Sequence, residues 1–329
     1  MDAALRVLVV GGGSAGVRHF RYTHEYGMHC SVCDPADTCR VTREFPKAEH
    51  LRDFDEAELG AFDAVVVCTP PYLHVPQAIT AARAGCHVLL EKPIAVTEEG
   101  LDELEQIVHD QQLVGAVAFP YANMLAMDRT LEIVRSGEIG DLWMSSYHKG
   151  DNILKPRPDF YETYYVSDVQ GGGCLQDDAN HALPALEMLG GEVEEIMCQR
   201  HNIGLKDIDA DDTCFVWFKF KSGAVATLDW SNQCNIDHAD WIIGGSKGGI
   251  QFSLSDMTLK VCDASTGNMR TERFDDSWNE TFRRNDQNFV DAIRGKTSVR
   301  CSLQQARKHL RTVLSARESA RLRTPVTVE

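Results

Sequence analysis

Short apolar runs alternate with amphipathic stretches over the first third of the chain. Leu5–Val10, Ala64–Cys68 and His87–Leu90 have the length and composition of buried strands. Apolar spacing predicts helices over about Val17–Tyr26 and Pro76–Ala84, each followed by a glycine that suits a helix C-terminus. Strands and helices that alternate in this order indicate a doubly wound parallel sheet.

Four further elements fit this pattern. Strands are expected at about His29–Cys33 and at Leu113–Phe119, and Arg52–Leu59 is a short helix candidate. Thr97 suits the N-cap of another helix, because two acidic residues follow it in the first turn, where the helix dipole favours them.

The pattern changes after Pro120. A helix is predicted at Leu125–Ser136 and a strand at Leu142–His148, and several later segments alternate apolar and polar residues. Such alternation is typical of an antiparallel sheet with two distinct faces. The later strands are expected at Glu194–His201, Thr213–Lys219, Ala224–Trp230, Ala239–Gly244 and Ile250–Ser253, and closing helices at about Glu280–Arg294 and Leu303–Leu322.

Composition narrows the class of protein. The 329 residues allow one large or two medium domains. The net charge of -16 argues against a nucleic-acid or anionic-membrane partner, since both need a basic surface. No apolar run has the length of a membrane span, and the N-terminus lacks the basic region of a signal peptide. Eleven scattered cysteines and no export signal indicate a reducing cytoplasm. Cys30 and Cys33 lie in a predicted strand, which favours a core position over a zinc or redox site.

A glycine motif follows the first predicted strand. Gly11, Gly13 and Gly16 match G-x-G-x-x-G at the start of a helix, which is the context in which this pattern binds dinucleotides. The glycines allow a tight turn, close approach of the backbone to a pyrophosphate and packing of helix on strand. Ser14 and Ala15 then lie in the first helical turn, whose free N–H groups suit phosphates.

Asp34 ends the second predicted strand, 18 residues after Gly16. A carboxylate there is expected to accept hydrogen bonds from the adenosine ribose and to repel a 2′-phosphate, so the sequence favours NAD over NADP. An Asp-Pro turn at the end of the strand explains the same residue and is compatible with this role.

Two loops should meet in the crevice at the carboxyl ends of the parallel strands, where ligands bind in such sheets. They are Thr69–His74 and Glu91–Pro93. Lys92 could donate to a substrate hydroxyl or a cofactor ribose, or it could be a solvated lysine paired with Glu91. The cofactor-contacting residues expected from these loops are Thr69, Pro70, His74, Glu91 and Lys92.

The second half contributes one polar pair and an irregular segment. If a helix begins near Gly172, Asp177 and His181 share one face, and the carboxylate can orient the imidazole. A surface pair without function is the competing interpretation. Residues 151–170 are rich in aromatic, proline and charged residues and form a possible lid. Its candidate substrate contacts, for which simple packing is an equal alternative, are Arg157, Tyr161, Tyr164 and Tyr165.

Three motifs in order resemble the glucose–fructose oxidoreductase / inositol dehydrogenase (Gfo/Idh/MocA) family: G-x-G-x-x-G, then T-P-x-x-x-H with A-G-x-H-V-x-x-E-K-P, then G-G-G-x-L-x-D-x-x-x-H. The resemblance implies an NAD-binding Rossmann domain over residues 1–122. It implies an α/β domain over residues 123–329, with a large open, mainly antiparallel sheet for substrate binding and for assembly into homodimers or homotetramers. It also implies a cis peptide before Pro93. Ala122 departs from the family, which often has a polar residue there.

The same resemblance implies that Lys92, Asp177 and His181 form the catalytic group of a dehydrogenase. Such an enzyme would transfer a hydride between a hydroxyl-bearing carbon of a sugar, cyclitol or sugar derivative and nicotinamide. His181 would be the general base, Asp177 would orient it, and Lys92 would stabilise the reacting oxygen. Alternatives are a redox-neutral lyase, glycosidase or epimerase that retains NAD, and a dinucleotide-sensing regulator without catalysis. Substrate contacts are expected from Lys92, Arg157, Tyr164, Asp177 and His181, and no metal is expected.

Overall fold

The computed structural model describes residues 4–328, which form two compact units. The first unit comprises the chain up to Asn123 together with Ser277–Arg307, and the second comprises Met124–Asp276 with the chain after Arg307. The sequence-based division placed everything after Ala122 in one second domain. In the structure, the segment Ser277–Arg307 belongs to the first unit instead.

The first unit contains a six-stranded sheet in the order β3-β2-β1-β4-β5-β6, and all its strands are parallel. The order reverses between β1 and β4, which creates the crevice where ligands bind in doubly wound sheets. Its strands are β1 (Arg6–Val10), β2 (His29–Cys33), β3 (Glu49–Leu51), β4 (Ala64–Val67), β5 (His87–Glu91) and β6 (Gly115–Ala118).

Helices connect these strands and bury their faces, because continuous apolar strands need cover on both sides. Every residue of β4 is fully buried. The helices are α1 (Ser14–Glu25), α2 (Arg40–Glu44), α3 (His74–Arg83), α4 (Leu101–Asp110) and α7 (Trp278–Ile293).

Two local predictions in this unit were wrong. Arg52–Leu59 is not helical: the Asp53 side chain accepts the N–H of Asp55 at 2.9 Å, and such a turn competes with helix formation. The helix expected from Thr97 begins instead at Leu101. The prediction also missed the three-residue strand β3.

The second unit is built on a nine-stranded sheet in the order β14-β13-β12-β11-β7-β10-β9-β8-β15. Only the pairing of β10 with β7 is parallel, so the expectation of a mainly antiparallel sheet is confirmed. The strands are β7 (Leu142–Asn152), β8 (Val193–His201), β9 (Thr213–Phe220), β10 (Val225–Ser231), β11 (Gln233–Gly245), β12 (Gly248–Ser253), β13 (Thr258–Asp263), β14 (Met269–Arg273) and β15 (Val326–Thr327).

Three helices complete the fold: α5 (Leu125–Arg135), α6 (Leu183–Gly190) and α8 (Leu303–Leu322). Helix α6 contacts β7 and β10 on one face of the large sheet. An irregular segment lies between β7 and α6, with aromatic residues clustered around Phe160 and Tyr165. Within residues 4–328, no helix is both long enough and apolar enough to span a bilayer.

Candidate active site

The glycine loop after β1 has the tight geometry that the motif predicts. Gly11 has a φ of +93°, and a Cβ on Gly16 would lie 1.8 Å from the carbonyl oxygen of Gly11. Both positions therefore need glycine. A Cβ on Gly13 would meet nothing within 4 Å, so the space beside the N-cap of α1 is open. The first turn of α1, which includes Ser14 and Ala15, contains no acidic residue, and its N–H groups suit a phosphate.

Asp34 lies at the end of β2 beside this loop. Its Oδ2 accepts the N–H of Gly12 at 2.7 Å, and its Oδ1 accepts the N–H of Ala36 at 2.9 Å. Two backbone donors hold the carboxylate in place next to the dinucleotide loop. The structure thus brings together the two features from which the sequence predicted a ribose site.

His74 joins the two predicted crevice loops. Its Nδ1 lies 2.8 Å from the carbonyl oxygen of Pro93, and its Nε2 lies 2.7 Å from that of Thr69. Burial lowers the pKa of His74, although both carbonyl groups oppose that shift. The imidazole faces backbone on both sides, so any effect of His74 on a cofactor acts through the positions of these loops. The peptide bond between Lys92 and Pro93 is cis, as expected.

Glu91 and Lys92 are buried, which excludes the solvated-lysine interpretation. The N–H of Lys92 donates to Glu91 Oε2 at 2.9 Å, and Glu91 Oε1 lies 3.1 Å from His19 Nε2. His19 Nδ1 lies 2.6 Å from Asp286 Oδ1 on α7. A fully buried imidazole therefore sits between two carboxylates, one of which holds the backbone of Lys92.

Electrostatics favour a charged imidazole at this position. Burial opposes the charged form, but the attraction of Asp286 and the hydrogen bonds that the imidazole donates to both carboxylates raise the pKa of His19 to about 10. Burial also opposes ionisation of Glu91, yet the bond to His19 lowers the pKa of that carboxyl. Burial raises the pKa of Asp286 despite the same neighbour. The 2.6 Å contact favours the ion pair, so we place the proton on His19.

In the second unit, Asp177 and His181 do not lie on one regular helix. Cys174–Asp178 is a π-helical turn, Ala179–His181 is a 3₁₀ turn, and α6 begins only at Leu183. A helical stretch thus begins just after Gly173, near the expected start, but the expectation of one regular helix carrying both residues was wrong. Asp177 is buried, and its Oδ1 accepts the hydroxyl of Tyr164 at 2.8 Å.

Close packing explains why this turn is not an ordinary helix. A Cβ on Gly172 would lie 2.4 Å from the carbonyl oxygen of Tyr165, and Gly173 has a φ of +95°. Asp211 then fixes the start of the turn, because its carboxylate accepts the N–H of Leu175 at 2.8 Å. The glycine run lets the turn approach its neighbours closely enough for these contacts.

Asp178, the second acid of the pair, has a different environment. Its Oδ2 accepts the side-chain amide of Asn232 at 2.6 Å. Asp177 contacts the phenol of the irregular segment instead. The two acidic side chains therefore contact different neighbours.

The irregular segment places Arg157 over the ring of Tyr165, with its guanidinium carbon 4.3 Å from the ring centroid. Tyr164 stacks on Tyr165, with ring centroids 4.5 Å apart. Tyr161 is half exposed and packs its ring edge on Phe160. Of the four candidate substrate contacts, Tyr164 is the one bonded to the predicted catalytic carboxylate.

Two further positions bear on the predicted chemistry. The side chain of Ala122 is buried, and its carbonyl oxygen accepts a hydrogen bond from Arg300 at 3.0 Å. Cys174, Cys214 and Asp211 bring three potential metal ligands together. Arg200 already neutralises Asp211, and burial raises the pKa of the Cys174 thiol, so this cluster does not suit a cation.

Sequence reasoning missed His19 and Asp286. They are 267 positions apart, and a lone histidine on an amphipathic helix carries no signal of its partner. One indication for His19 was present in the sequence: it lies three residues after Gly16, on the helix that follows the dinucleotide loop.

The class of protein follows from comparison with family models. Residues 5–119 match an oxidoreductase family with an NAD-binding Rossmann fold, and residues 127–251 match the GFO/IDH/MocA C-terminal domain. The chain belongs to this family, which confirms the resemblance and the predicted fold class.

Individual relatives are distant. A 2,7-anhydro-N-acetylneuraminate hydratase of Escherichia coli is 26% identical over 76% of this chain and 67% of its own length. A levoglucosan dehydrogenase of Pseudarthrobacter phenanthrenivorans is 27% identical over 60% of this chain and 56% of its own length. The matches to the first three relatives cover only 54% to 67% of those proteins.

Solved structures show the same fold over nearly the whole chain. Levoglucosan dehydrogenase in complex with NADH and levoglucosan has a TM-score of 0.87 at 21% identity, covering 99% of this chain and 100% of that one. An oxidoreductase from Agrobacterium radiobacter in complex with NAD+, L-tartaric acid and magnesium has a TM-score of 0.85 at 17% identity, covering 99% of each chain.

Proposed function

We propose that the protein is an NAD-dependent dehydrogenase that acts on a hydroxyl-bearing carbon of a sugar, cyclitol or sugar derivative. The observation that carries the proposal is the glycine loop, with open space at Gly13 and the Asp34 carboxylate held beside it. Relatives named levoglucosan dehydrogenase and D-glucoside 3-dehydrogenase support a carbohydrate substrate.

The residues of the first unit fit a dinucleotide. The N–H groups of the first turn of α1 would bind its pyrophosphate, and Asp34 would bind its adenosine ribose. The Thr69–Pro70 loop and Glu91–Lys92 border the same crevice at the ends of β4 and β5. When bound, the nicotinamide supplies the hydride acceptor.

Side chains of the protein would carry out the proton transfer and stabilise the reacting oxygen. An imidazole nitrogen of His181 accepts the proton of the substrate hydroxyl, and Asp177 supports the charged imidazole. The Nζ of Lys92 donates to the same substrate oxygen and stabilises its developing negative charge. Tyr164 limits the freedom of Asp177 through its 2.8 Å hydrogen bond.

A spectrophotometric screen tests this function. Purified protein with NAD and a panel of sugars, sugar acids and cyclitols should form NADH, seen as new absorbance of the reduced nicotinamide. Absence of hydride transfer across the panel, with NAD still bound, would contradict the dehydrogenase proposal and favour a sensor.

A redox-neutral reaction is the second candidate, and two relatives named as hydratases favour it. Such an enzyme would retain NAD and convert substrate without net formation of NADH. Product analysis by mass spectrometry, run beside the absorbance screen, separates the two: a changed sugar with no accumulated NADH supports the redox-neutral reaction.

Cofactor preference gives the first mutational test. Asp34→Ala should weaken NADH binding about ten- to a hundredfold, since a hydrogen bond to a charged group contributes about 1.5–3 kcal/mol. NADPH binding should weaken less or improve, because the repulsion of the 2′-phosphate is removed. Titration of cofactor fluorescence measures both dissociation constants.

Asp37→Ala is the matched control for this test. Asp37 is an exposed neighbour that pairs with Arg52 at the surface, so its loss should leave both affinities unchanged. Equal NADH affinity in Asp34→Ala and wild type would remove Asp34 from the ribose site.

The open face of the nine-stranded sheet supports assembly into homodimers or homotetramers. Along β9, Cys214 and Val216 are buried, while Phe215 between them is 51% exposed. Met144 on β7 and Ile242 on β11, farther across the same sheet, are 41% and 40% exposed. Large apolar side chains on one open sheet face are typical of an interface between subunits.

Phe215→Glu should therefore dissociate the assembly to monomers, because each copy would bury an unpaired charge in the interface. Size-exclusion chromatography with light scattering measures the mass. Val169→Glu, at a more exposed apolar position outside the sheet, should leave the mass unchanged. A monomeric wild-type protein, or an unchanged Phe215→Glu assembly, would contradict this interface.

A further inference from the structure

Arg157 is held in a defined position within the irregular segment of the second unit. Its backbone N–H donates to the carbonyl oxygen of Ile153 at 3.2 Å, and its own carbonyl accepts the N–H of Phe160 at 3.1 Å. Its guanidinium stacks on Tyr165, 4.3 Å from the ring centroid. The side chain is therefore placed by its neighbours and half-buried.

The guanidinium lacks the acceptors that two other half-buried arginines of this unit have. Arg200 donates to Asp168 and Asp211, and Arg317 donates to Asp168 and Gln176. For Arg157, no side-chain hydrogen bond or ion pair occurs within the described chain from residue 4 to residue 328. A guanidinium offers five N–H donors, and no nitrogen of Arg157 is both buried and without a partner, so its donors reach solvent and can bind an anion.

Acidic groups near Arg157 oppose the effect of burial on its charge. Burial would lower the pKa of Arg157, but attraction by Tyr165, Asp177 and Asp178 outweighs burial and raises it. The cation thus lies within the field of Asp177 without a hydrogen bond to it. Tyr164, bonded to Asp177 and stacked on Tyr165, links the two groups.

We propose that Arg157 binds a carboxylate of the substrate and that the substrate class is therefore a sugar acid. A planar carboxylate can accept two parallel N–H groups from one edge of a guanidinium while the ring of Tyr165 covers its face. A phosphate ester fits less well, because its charge of about -1.5 to -2 is repelled more strongly by Asp177 and Asp178. The inference rests on the proposed dehydrogenase function.

Matched neutral and acidic sugars test this assignment. D-glucuronate and D-galacturonate are compared with D-glucose and D-galactose, and glucose 6-phosphate tests the phosphate alternative. The wild type should oxidise the uronates with the higher kcat/KM. Arg157→Gln should raise KM for the preferred uronate about ten- to a hundredfold, the loss expected for hydrogen bonds to a charged group. The neutral sugars should lose less in kcat/KM than the uronates, because they have no carboxylate for Arg157 to bind.

Two further variants sharpen the result. Arg157→Lys keeps the charge without the two-pronged geometry, so it should recover part of the affinity for uronates. Lys155→Gln removes an exposed charge two residues away and should have no effect. Equal losses for acidic and neutral sugars in Arg157→Gln would assign Arg157 to packing and overturn the proposal.

The remaining outcomes separate this inference from the proposed function. Oxidation of neutral sugars without preference for uronates would contradict the sugar-acid assignment. The proposed dehydrogenase function would still be supported by that result. Preference for glucose 6-phosphate would also overturn the carboxylate. Where no sugar is oxidised, calorimetric titration of D-glucuronate into NAD-loaded protein decides: binding lost in Arg157→Gln supports the anion site, and no binding to wild type refutes it.

Discussion

His181→Asn should lower kcat about a hundred- to ten-thousandfold while leaving NADH affinity unchanged. General base catalysis is typically worth a factor of about this size, and asparagine cannot accept the proton. The affinity should persist because His181 lies on the 3₁₀ turn of the second unit, outside the glycine loop of the first. Steady-state kinetics with the best substrate of the screen and titration of cofactor fluorescence measure the two quantities.

The control for this prediction is His109→Asn, at an exposed histidine near the end of α4. Both constants should match wild type in that variant. Asp177→Asn should lower kcat less than His181→Asn, since it removes the support of the charged imidazole and not the proton acceptor. Unchanged kcat in His181→Asn would remove this residue from the mechanism.

The parallel sheet was predictable because its strands are buried on both faces. Leu5–Val10, apart from Arg6, and Ala64–Cys68 are apolar runs, and both are strands within one residue of the expected bounds. The edge strand β3 was not predictable, because its sequence, Glu-His-Leu, has no apolar run. The false helix at Arg52–Leu59 arose because local side-chain bonding at Asp53 is not visible in periodicity.

The division into units could not be predicted in full, because it depends on contacts between distant parts of the chain. Helix α7 was expected at nearly its observed position, yet its membership of the first unit depends on contacts with α1. The His19–Asp286 bond spans 267 positions. Periodicity reports which face of a helix is apolar and carries no information about the element that covers that face.

The local geometry around Asp177 and His181 was also beyond prediction from sequence periodicity. Residue types and order pointed to Asp177 and His181, but the spacing argument assumed a regular helix. The turn at Cys174–Asp178 is π-helical because Gly172 and Gly173 let the backbone pack against neighbouring chain. Residue chemistry was therefore readable from the sequence, while the local geometry followed from packing.

The buried imidazolium of the first unit gives the last prediction, for stability. Asp286→Ala should lower the free energy of unfolding by about 3–5 kcal/mol at pH 6, because it leaves a buried charge with one partner fewer. Urea denaturation measures the loss. Asp291→Ala, on the same helix, removes a surface pair with Lys296 and should cost about 1 kcal/mol or less.

The dependence on pH separates this ion pair from simple packing. The folded-state pKa of His19, about 10, lies above its ordinary value of 6.5, so its stabilisation is complete below pH 6.5 and is lost as the pH rises through 10. Wild-type stability should therefore fall across that window by up to about 1.4 kcal/mol per pH unit relative to Asp286→Asn. The asparagine keeps the shape and removes the charge, so it should retain part of the stability and show a shallower slope, because Glu91 still contacts His19. Parallel pH profiles of the two proteins would show that Asp286 does not hold the proton on His19.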